Sequence, residues 1–258
     1  WVEPYQASLE ILERLVDDGG QMPVWADSTA GIFTYHRVGS VPFDNPKTAL
    51  AVLERGGRVF SKLVAANPTA VGLKHDLAAS HFMAGNIYQN TRQPMSAVDR
   101  FQKAKQIWES LLDAGQASPE LAGRLADTFR FLADSYEDAR QYELRNQSFQ
   151  QGIAALRRGF GKNQPEVANL LRLAPSESLE ERESDLREAI AIYRNALDQQ
   201  LESPRSMPEV RWNLSRAHTS LGRVLQRSHQ LEQAEQELLI AKELVTVLAE
   251  ENPSNQEL

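Results

Sequence analysis

The chain has 258 residues, of which 41% are hydrophobic and 24% are charged, and it contains no cysteine. This apolar share can form a sizeable core and excludes an intrinsically disordered chain. The absence of cysteine excludes disulfides, thiolate catalysis and cysteine-based zinc sites. With 28 Lys and Arg against 35 Asp and Glu, the net charge of -7 disfavours nucleic acid as a partner, because a general phosphate-backbone binder needs a basic surface. No apolar run approaches the roughly 18 residues of a membrane-spanning helix, so we expect no membrane insertion by this segment.

A pattern of large apolar and small residues recurs in six copies along the chain. In each copy the small residue follows the large one after three positions, a spacing that fits one face of an α-helix. The six pairs are Tyr5 and Ser8, Leu53 and Gly56, Phe101 and Ala104, Phe149 and Gly152, Leu186 and Ala189, and Leu238 and Ala241. The first four copies lie 48 residues apart, and the next two follow after 37 and 52 residues. We interpret each copy as the second helix, helix B, of a repeated unit.

A second periodic column precedes three of these helices and predicts a partner, helix A. Its members are Leu77 and Gly85, Leu125 and Ala133, and Leu214 and Gly222. Capping residues before the helical runs, at Asn45, Ser118, Ser178 and Ser206, mark helix starts. The nearest approach to a strand, Val38–Phe43, is interrupted by Gly39 and Pro42. The sequence therefore predicts an all-α fold, a right-handed superhelical solenoid of antiparallel helical hairpins with a period of about 48.

We expect residues 1–258 to form a single helical repeat domain, because each hairpin buries its apolar face on the next. The predicted units are a partial unit 1–23, a degenerate unit 24–67, units 68–117 and 118–163, a degenerate unit 164–205 and a C-terminal unit 206–258. In unit 164–205 only Val167–Leu173 is left for helix A. The sequence begins at Trp1 without a signal-like segment, so we expect it to be a piece of a longer protein.

Two hairpins carry the residue spacing of a known repeat. The spacing is formed by Gly85, Tyr88, Ala97, Phe101 and Ala104, and again by Gly222, Leu225, Ala234, Leu238 and Ala241. It resembles the signature of tetratricopeptide repeat (TPR) proteins. The longer period and the phrases at 63–68 and 75–81 resemble, more narrowly, the TPR arrays that follow the catalytic domain in large planctomycete-type bacterial Ser/Thr protein kinases. This resemblance implies a regulatory or scaffolding segment of a larger signalling protein.

The TPR resemblance also implies that helix A lines a concave groove that binds a peptide or a partner helix. The candidate lining residues are Phe82, Asn86, Gln89 and Asn90, then Arg130, Asp134, Glu137 and Asp138, and finally Arg216, Arg223, Gln226 and Arg227. Amides can bond a peptide backbone and guanidinium groups can bind carboxylates, which favours a non-catalytic protein-protein interaction module. A carboxylate clamp like that of related TPR proteins is disfavoured, because the Asn and Arg sets lie about 137 residues apart. The alternative is that these are ordinary solvated helix faces.

No set of catalytic or metal-binding residues stands out. His75 and His81 are six residues apart and His218 and His229 are eleven apart, so neither pair has the spacing of ligands on one helix. The acidic stretch 177–188 is explained by acids placed at a helix N-terminus. The chain also lacks kinase motifs and a nucleophile with a base, so we predict that this segment is not an enzyme and holds no metal or cofactor.

A structural spacer or self-association module is the alternative function. The terminal helices Tyr5–Val16 and Leu238–Leu248 present apolar faces that need a cap or a partner. The compartment stays open, with the cytoplasm slightly favoured over the extracytoplasmic side of a membrane-anchored kinase.

Overall fold

The computed structural model describes residues 9–11, 13–14, 45–199 and 207–251. These residues contain nine helices with defined bounds and no strand. In chain order the helices are α1 (Pro46–Ala66), α2 (Val71–Asn90), α3 (Pro94–Asp113), α4 (Pro119–Asp138), α5 (Tyr142–Phe160), α6 (Pro165–Leu173), α7 (Leu179–Asp198), α8 (Met207–Arg227) and α9 (Leu231–Glu251). The predicted fold class, an all-α helical repeat, is confirmed. The degenerate start of unit 24–67, up to residue 44, and the N-cap predicted at Ser206 lie outside the described residues.

Helix starts follow the capping residues of the sequence. The side chains of Asn45, Ser118 and Ser178 accept hydrogen bonds of 3.0–3.2 Å from backbone N–H groups three residues further on. The first N–H groups of a helix have no partner within the helix, so each bond satisfies one of them. Helices α1, α4 and α7 therefore begin where the sequence predicts.

Three-residue turns join α2 to α3, α4 to α5 and α8 to α9, and they share one backbone geometry. Their middle residues, Arg92, Arg140 and His229, have φ angles of 58°, 58° and 61°. In each turn the following glutamine N–H donates to a carbonyl five residues earlier, at 2.8–2.9 Å. This left-handed residue followed by a long-range N–H bond is the Schellman ending of a helix, and it reverses the chain within three residues.

The described residues form two compact units. The first consists of the described residues up to Gln116 together with Phe131–Arg145. The second consists of Ala117–Arg130 together with the described residues from Asn146 on. Helices α4 and α5 therefore contribute residues to both units.

Four aromatic rings form the centre of the first unit. The ring centroid of Phe82 lies 5.4 Å from that of Phe101, 5.8 Å from that of Trp108 and 5.3 Å from that of Phe131. Phe101 and Trp108 are 0% and 1% exposed. Beside these rings, a Cβ atom at Gly85 would lie 2.6 Å from Cε1 of Phe101, so helices α2 and α3 approach too closely for any side chain there.

Glycines have the same role in the second unit. A Cβ atom at Gly222 of α8 would lie 2.8 Å from Cγ of Leu238 on α9. At Gly152 of α5 it would lie 2.7 Å from Cδ1 of Leu170 on α6 and 2.8 Å from Cβ of Phe129 on α4. The predicted pairing of a small residue with a large neighbour thus packs the helices of this unit as well.

Replacing Gly85 with alanine should lower the free energy of unfolding by roughly 1–3 kcal/mol, because the added methyl group overpacks against a ring that other rings hold in place. Gly57→Ala is the matched control, since Gly57 also lies inside a helix and a Cβ there has its nearest contact at 4.0 Å, with His81 Cε1. Alanine is favoured over glycine in helix interiors, so Gly57→Ala should raise stability by roughly 0.5–1 kcal/mol. Urea unfolding followed by circular dichroism checks both values, and equal effects would contradict the close approach at Gly85.

Candidate functional site

The shortest helix, α6, has its C-terminal end held by a single arginine. Arg182 of α7 donates hydrogen bonds to the backbone carbonyls of Leu171, Arg172 and Ala174 at 2.9, 2.5 and 2.6 Å. The last carbonyls of a helix have no partner within it, so these bonds satisfy groups that water would otherwise have to solvate. Arg182 therefore anchors the C-terminal end of α6, a helix of nine residues.

A cavity of about 360 Å³ lies in the second unit, and helices α4, α6 and α8 line it. We call it the Arg172 pocket. Its lining consists of Asp127, Arg130, Asn169, Arg172, Leu173, Glu209, Trp212, Asn213 and Arg216. All three helices occupy the helix A position of their repeats, and the TPR resemblance implies that helices in this position line a groove.

Arg172 is a buried cation without a counter-ion. Its side chain is 7% exposed, and its Nη2 atom donates to Oδ1 of Asn169 at 3.0 Å. No carboxylate of the described residues forms an ion pair with it, and its Nε atom has no hydrogen-bond partner among them. Burial lowers the pKa of Arg172, and the positive charges of Arg216 and Arg182 act in the same direction, while Tyr193 opposes them. The guanidinium thus pays a desolvation cost that no charged neighbour offsets.

Two asparagines lie beside this arginine. Asn169 and Asn213 are 4% and 6% exposed. The Asn213 amide forms no hydrogen bond with any described residue, and Asn169 uses Oδ1 for Arg172. A primary amide offers two donors and an acceptor, so both side chains keep hydrogen-bonding capacity that faces the cavity.

The charges around the pocket are unequal. Arg130, Arg172 and Arg216 supply three cations, whereas Asp127 and Glu209 supply two carboxylates. Arg130 lies 3.8 Å from Asp127, and the exposed Arg216 has no ion pair within the part of the chain that the structure describes. The lining therefore carries one net positive charge, and its two cations without an ion pair among the described residues are Arg172 and Arg216.

The structure brings only some of the sequence-predicted residues into this pocket. Arg130 and Arg216 line it, whereas Arg223, Gln226 and Arg227 are exposed further along α8 and do not. The acidic candidates Asp134, Glu137 and Asp138 belong to the first unit, where Glu137 lies 3.3 Å from Arg145.

The remaining candidates lie on α2 in the first unit. Phe82 is 9% exposed and its ring packs in the aromatic centre, so the structure places this predicted groove residue against the core of the first unit. Asn86 and Gln89 are half-buried and Asn90 is exposed. The Oδ1 atom of Asn86 is buried and has no hydrogen-bond partner among the described residues.

Sequence reasoning missed Asn169, Arg172, Trp212 and Asn213. A signal for most of them exists in the printed sequence: Asn169-Leu-Leu-Arg172 and Asn213-Leu-Ser-Arg216 repeat the pattern Asn-Leu-x-Arg 44 residues apart. The i, i+3 spacing places each amide and guanidinium on the same side of a helix. The first copy lies in the unit 164–205, which the sequence predicts to be degenerate.

No group of three or more His, Asp or Glu side chains in the described part of the chain is placed to hold a metal ion. None of the described helices is both long and apolar enough to cross a bilayer.

No protein-family model and no curated protein matches the chain. Among solved structures, BtubC (BKLC) from P. vanneervenii aligns with a TM-score of 0.53 and 15% identity over 92% of each chain. MamA aligns over 81% of this chain and 99% of its own, at 16% identity and a TM-score of 0.42. A Podosopora anserina putative kinesin light chain with nearly identical TPR-like repeats aligns over 78% of this chain and 96% of its own, at 16% identity and a TM-score of 0.41. The similarity to BtubC supports the TPR-type helical repeat, and at this identity it concerns the fold alone.

Removing the donors of Arg182 should loosen α6 selectively. Arg182→Met keeps the aliphatic stem but removes three hydrogen bonds to carbonyls, so we expect a loss of roughly 2–4 kcal/mol in stability and faster amide hydrogen exchange in residues 165–173. Arg187→Met on the same helix is the control, because its 2.8 Å ion pair with Glu183 lies at the surface and should contribute less than about 1 kcal/mol. Unchanged exchange in α6 after Arg182→Met would show that other contacts hold this helix.

Proposed function

We propose that the chain is a non-catalytic protein-interaction module and that its second unit binds a peptide through a carboxylate group in the Arg172 pocket. The observation that carries this proposal is Arg172 itself, a buried guanidinium with no carboxylate partner among the described residues. TPR-type helical repeats present helix A side chains to ligands, and this pocket is lined by three such helices.

A bound carboxylate offsets the cost of burying Arg172. Guanidinium and carboxylate match in a planar, two-bond geometry, and such charge-assisted bonds are stronger than neutral ones. The exposed Arg216 adds a second cation that attracts an approaching anion. The ligand's charge therefore replaces the counter-ion that the fold does not provide.

The other lining residues suit a peptide better than a bare ion. The amides of Asn169 and Asn213 can both donate to and accept from a peptide backbone. Trp212 and Leu173 offer an apolar surface to an adjacent side chain. Asp127 and Glu209 balance two of the three arginines, which favours a singly charged carboxylate over a doubly charged phosphate.

The test is a selection from random decapeptides with free C-termini, followed by fluorescence polarisation of the enriched peptides. Arg172→Met should weaken their binding by at least about tenfold, because a hydrogen bond to a charged group contributes roughly 1.5–3 kcal/mol. Its stability should be unchanged or higher, since an apolar side chain replaces a buried ion of similar size. Loss of binding without loss of stability is the signature of a ligand-binding arginine.

Arg216→Gln and Arg223→Gln form a matched pair on α8, as both side chains are exposed and only Arg216 lines the pocket. The first variant should weaken binding and the second should not. A parallel selection with amidated peptides separates a terminal carboxylate from an Asp or Glu side chain. Failure to enrich any peptide, or equal binding by wild type and Arg172→Met, would refute the pocket.

We also infer that the module is a regulatory or scaffolding segment of a larger signalling protein such as a Ser/Thr kinase. The support for this is the similarity of its repeat phrases at 63–68 and 75–81 to kinase-associated TPR arrays. Sequencing the complete open reading frame tests the inference: an upstream kinase domain supports it, and a reading frame without one rejects it.

Self-association is a second candidate function, favoured by the surface of α9. This helix exposes Leu231, Leu239 and Val247 by 65%, 52% and 43%. Exposed apolar side chains of this kind mark interaction surfaces when they cluster. Light scattering across a wide concentration range tests self-association, because a chain that stays monomeric at every concentration does not self-associate.

A further inference from the structure

A second cavity, of about 420 Å³, lies in the first unit between α1, α2 and α3. Its volume falls within the range of roughly 300–1,000 Å³ that is typical of ligand pockets. Arg58 and Lys62 of α1 and Arg100 of α3 line it, together with Glu54, Gly57 and His81. We call it the Arg58 cavity, and it shares no residue with the Arg172 pocket.

The spacing along α1 places Arg58 and Lys62 on the same side of the cavity. Glu54, Arg58 and Lys62 stand four residues apart, so all three project from the same face of the helix. Gly57 lies between them and carries no side chain, and a Cβ atom there would reach His81 Cε1 at 4.0 Å. The absence of that side chain keeps the cavity open toward α2.

The one carboxylate in the lining is already engaged. Oε1 of Glu54 accepts a hydrogen bond from Arg100 at 2.8 Å and another from the Tyr88 hydroxyl at 3.2 Å. Arg58 and Lys62 are exposed and form no ion pair with any residue that the structure describes. Within the lining itself, three cations against one carboxylate give two net positive charges. Just outside the lining, Asp99 lies 3.9 Å from Nε of Arg100, and the charges of Lys62 and Arg58 help to lower the pKa of Glu13.

The histidine in the cavity wall is uncharged at neutral pH, mainly because it is buried. Burial lowers the pKa of His81 to about 4, and the charges of Arg100 and Lys103 add to the effect while Asp99 opposes it. At neutral pH the ring is therefore uncharged. It has one N–H donor and one acceptor nitrogen, and it adds no charge to the cavity.

We propose that the Arg58 cavity is a binding site for a phosphate monoester dianion, carried either by a phosphorylated side chain of a partner or by a small phosphorylated metabolite. The two net positive charges match a dianion, and guanidinium and ammonium groups are the usual donors to phosphate oxygens. The cavity volume leaves room for the group that carries the phosphate. This site goes beyond the proposed function and does not rest on it.

Amide NMR titrations of the chain test the proposal at fixed ionic strength, because general electrostatic attraction is then held constant. The probes are inorganic phosphate, an N-acetylated and C-amidated phosphoserine, adenosine monophosphate and acetate. We expect saturable shifts at Gly57, Ser61 and His81 with at least one phosphate probe and weaker binding of acetate. Stronger binding of the phosphoserine identifies a modified partner, and stronger binding of the nucleotide or free phosphate identifies a metabolite.

Arg58→Gln/Lys62→Gln should raise the dissociation constant of the best phosphate probe by at least about tenfold, as two charge-assisted contacts are lost. Lys47→Gln/Lys74→Gln removes the same charge from α1 and α2 outside the cavity lining, and should change the constant by less than about twofold. Circular dichroism confirms that both variants fold, which is expected because these side chains are at least partly exposed. No saturable binding of any phosphate probe, equal binding of acetate, or equal weakening in both double variants would overturn the proposal.

Discussion

The close approach of neighbouring helices at glycine is the constraint on which the rest of this structure depends. At Gly85, Gly152 and Gly222 an added Cβ would lie 2.6–2.8 Å from a side-chain carbon of another helix. The crossing angle of two helices that pack this closely can vary little, because the large side chain of one helix fills the space beside the glycine of the other. Side chains that project from several helices can then converge on one cavity in a fixed arrangement, as ligand recognition requires.

The least regular part of the repeat supplies the buried arginine of the proposed carboxylate site. Helix α6 is nine residues long, which is short for a helix to be stable by itself in water. Gly152 lets Leu170 pack closely, and Arg182 satisfies the carbonyls at the C-terminal end of the helix. These two supports make the short helix rigid enough to hold Asn169 and Arg172 in the pocket.

Most of the fold could be predicted from the sequence, because its determinants are local and periodic: caps such as Ser178, and the i, i+3 columns of apolar and small residues. The site was less predictable. Phe82 stands at a column that faces ligands in TPR proteins, but its burial depends on contacts with Phe101, Trp108 and Phe131, up to 49 residues away. The sequence does not single out Asn169 and Arg172, because helix A of their unit lacks the pair of large apolar and small residues that identifies helix A in the regular units.

Local charge, rather than total charge, decides what this chain can bind. The sequence carries a net charge of -7, which disfavours non-specific attraction to polyanions. Its two described cavities are nevertheless lined with arginine, one with a single net positive charge and the other with two. In the first, the asparagines and a buried guanidinium favour one planar carboxylate; in the second, the exposed cations favour a more highly charged group. A long polyanion contacts acidic as well as basic parts of such a surface, whereas a compact anion interacts mainly with the charges within the screening length of about 8–10 Å. An acidic chain with two small basic cavities can therefore disfavour long polyanions and still accept compact anions.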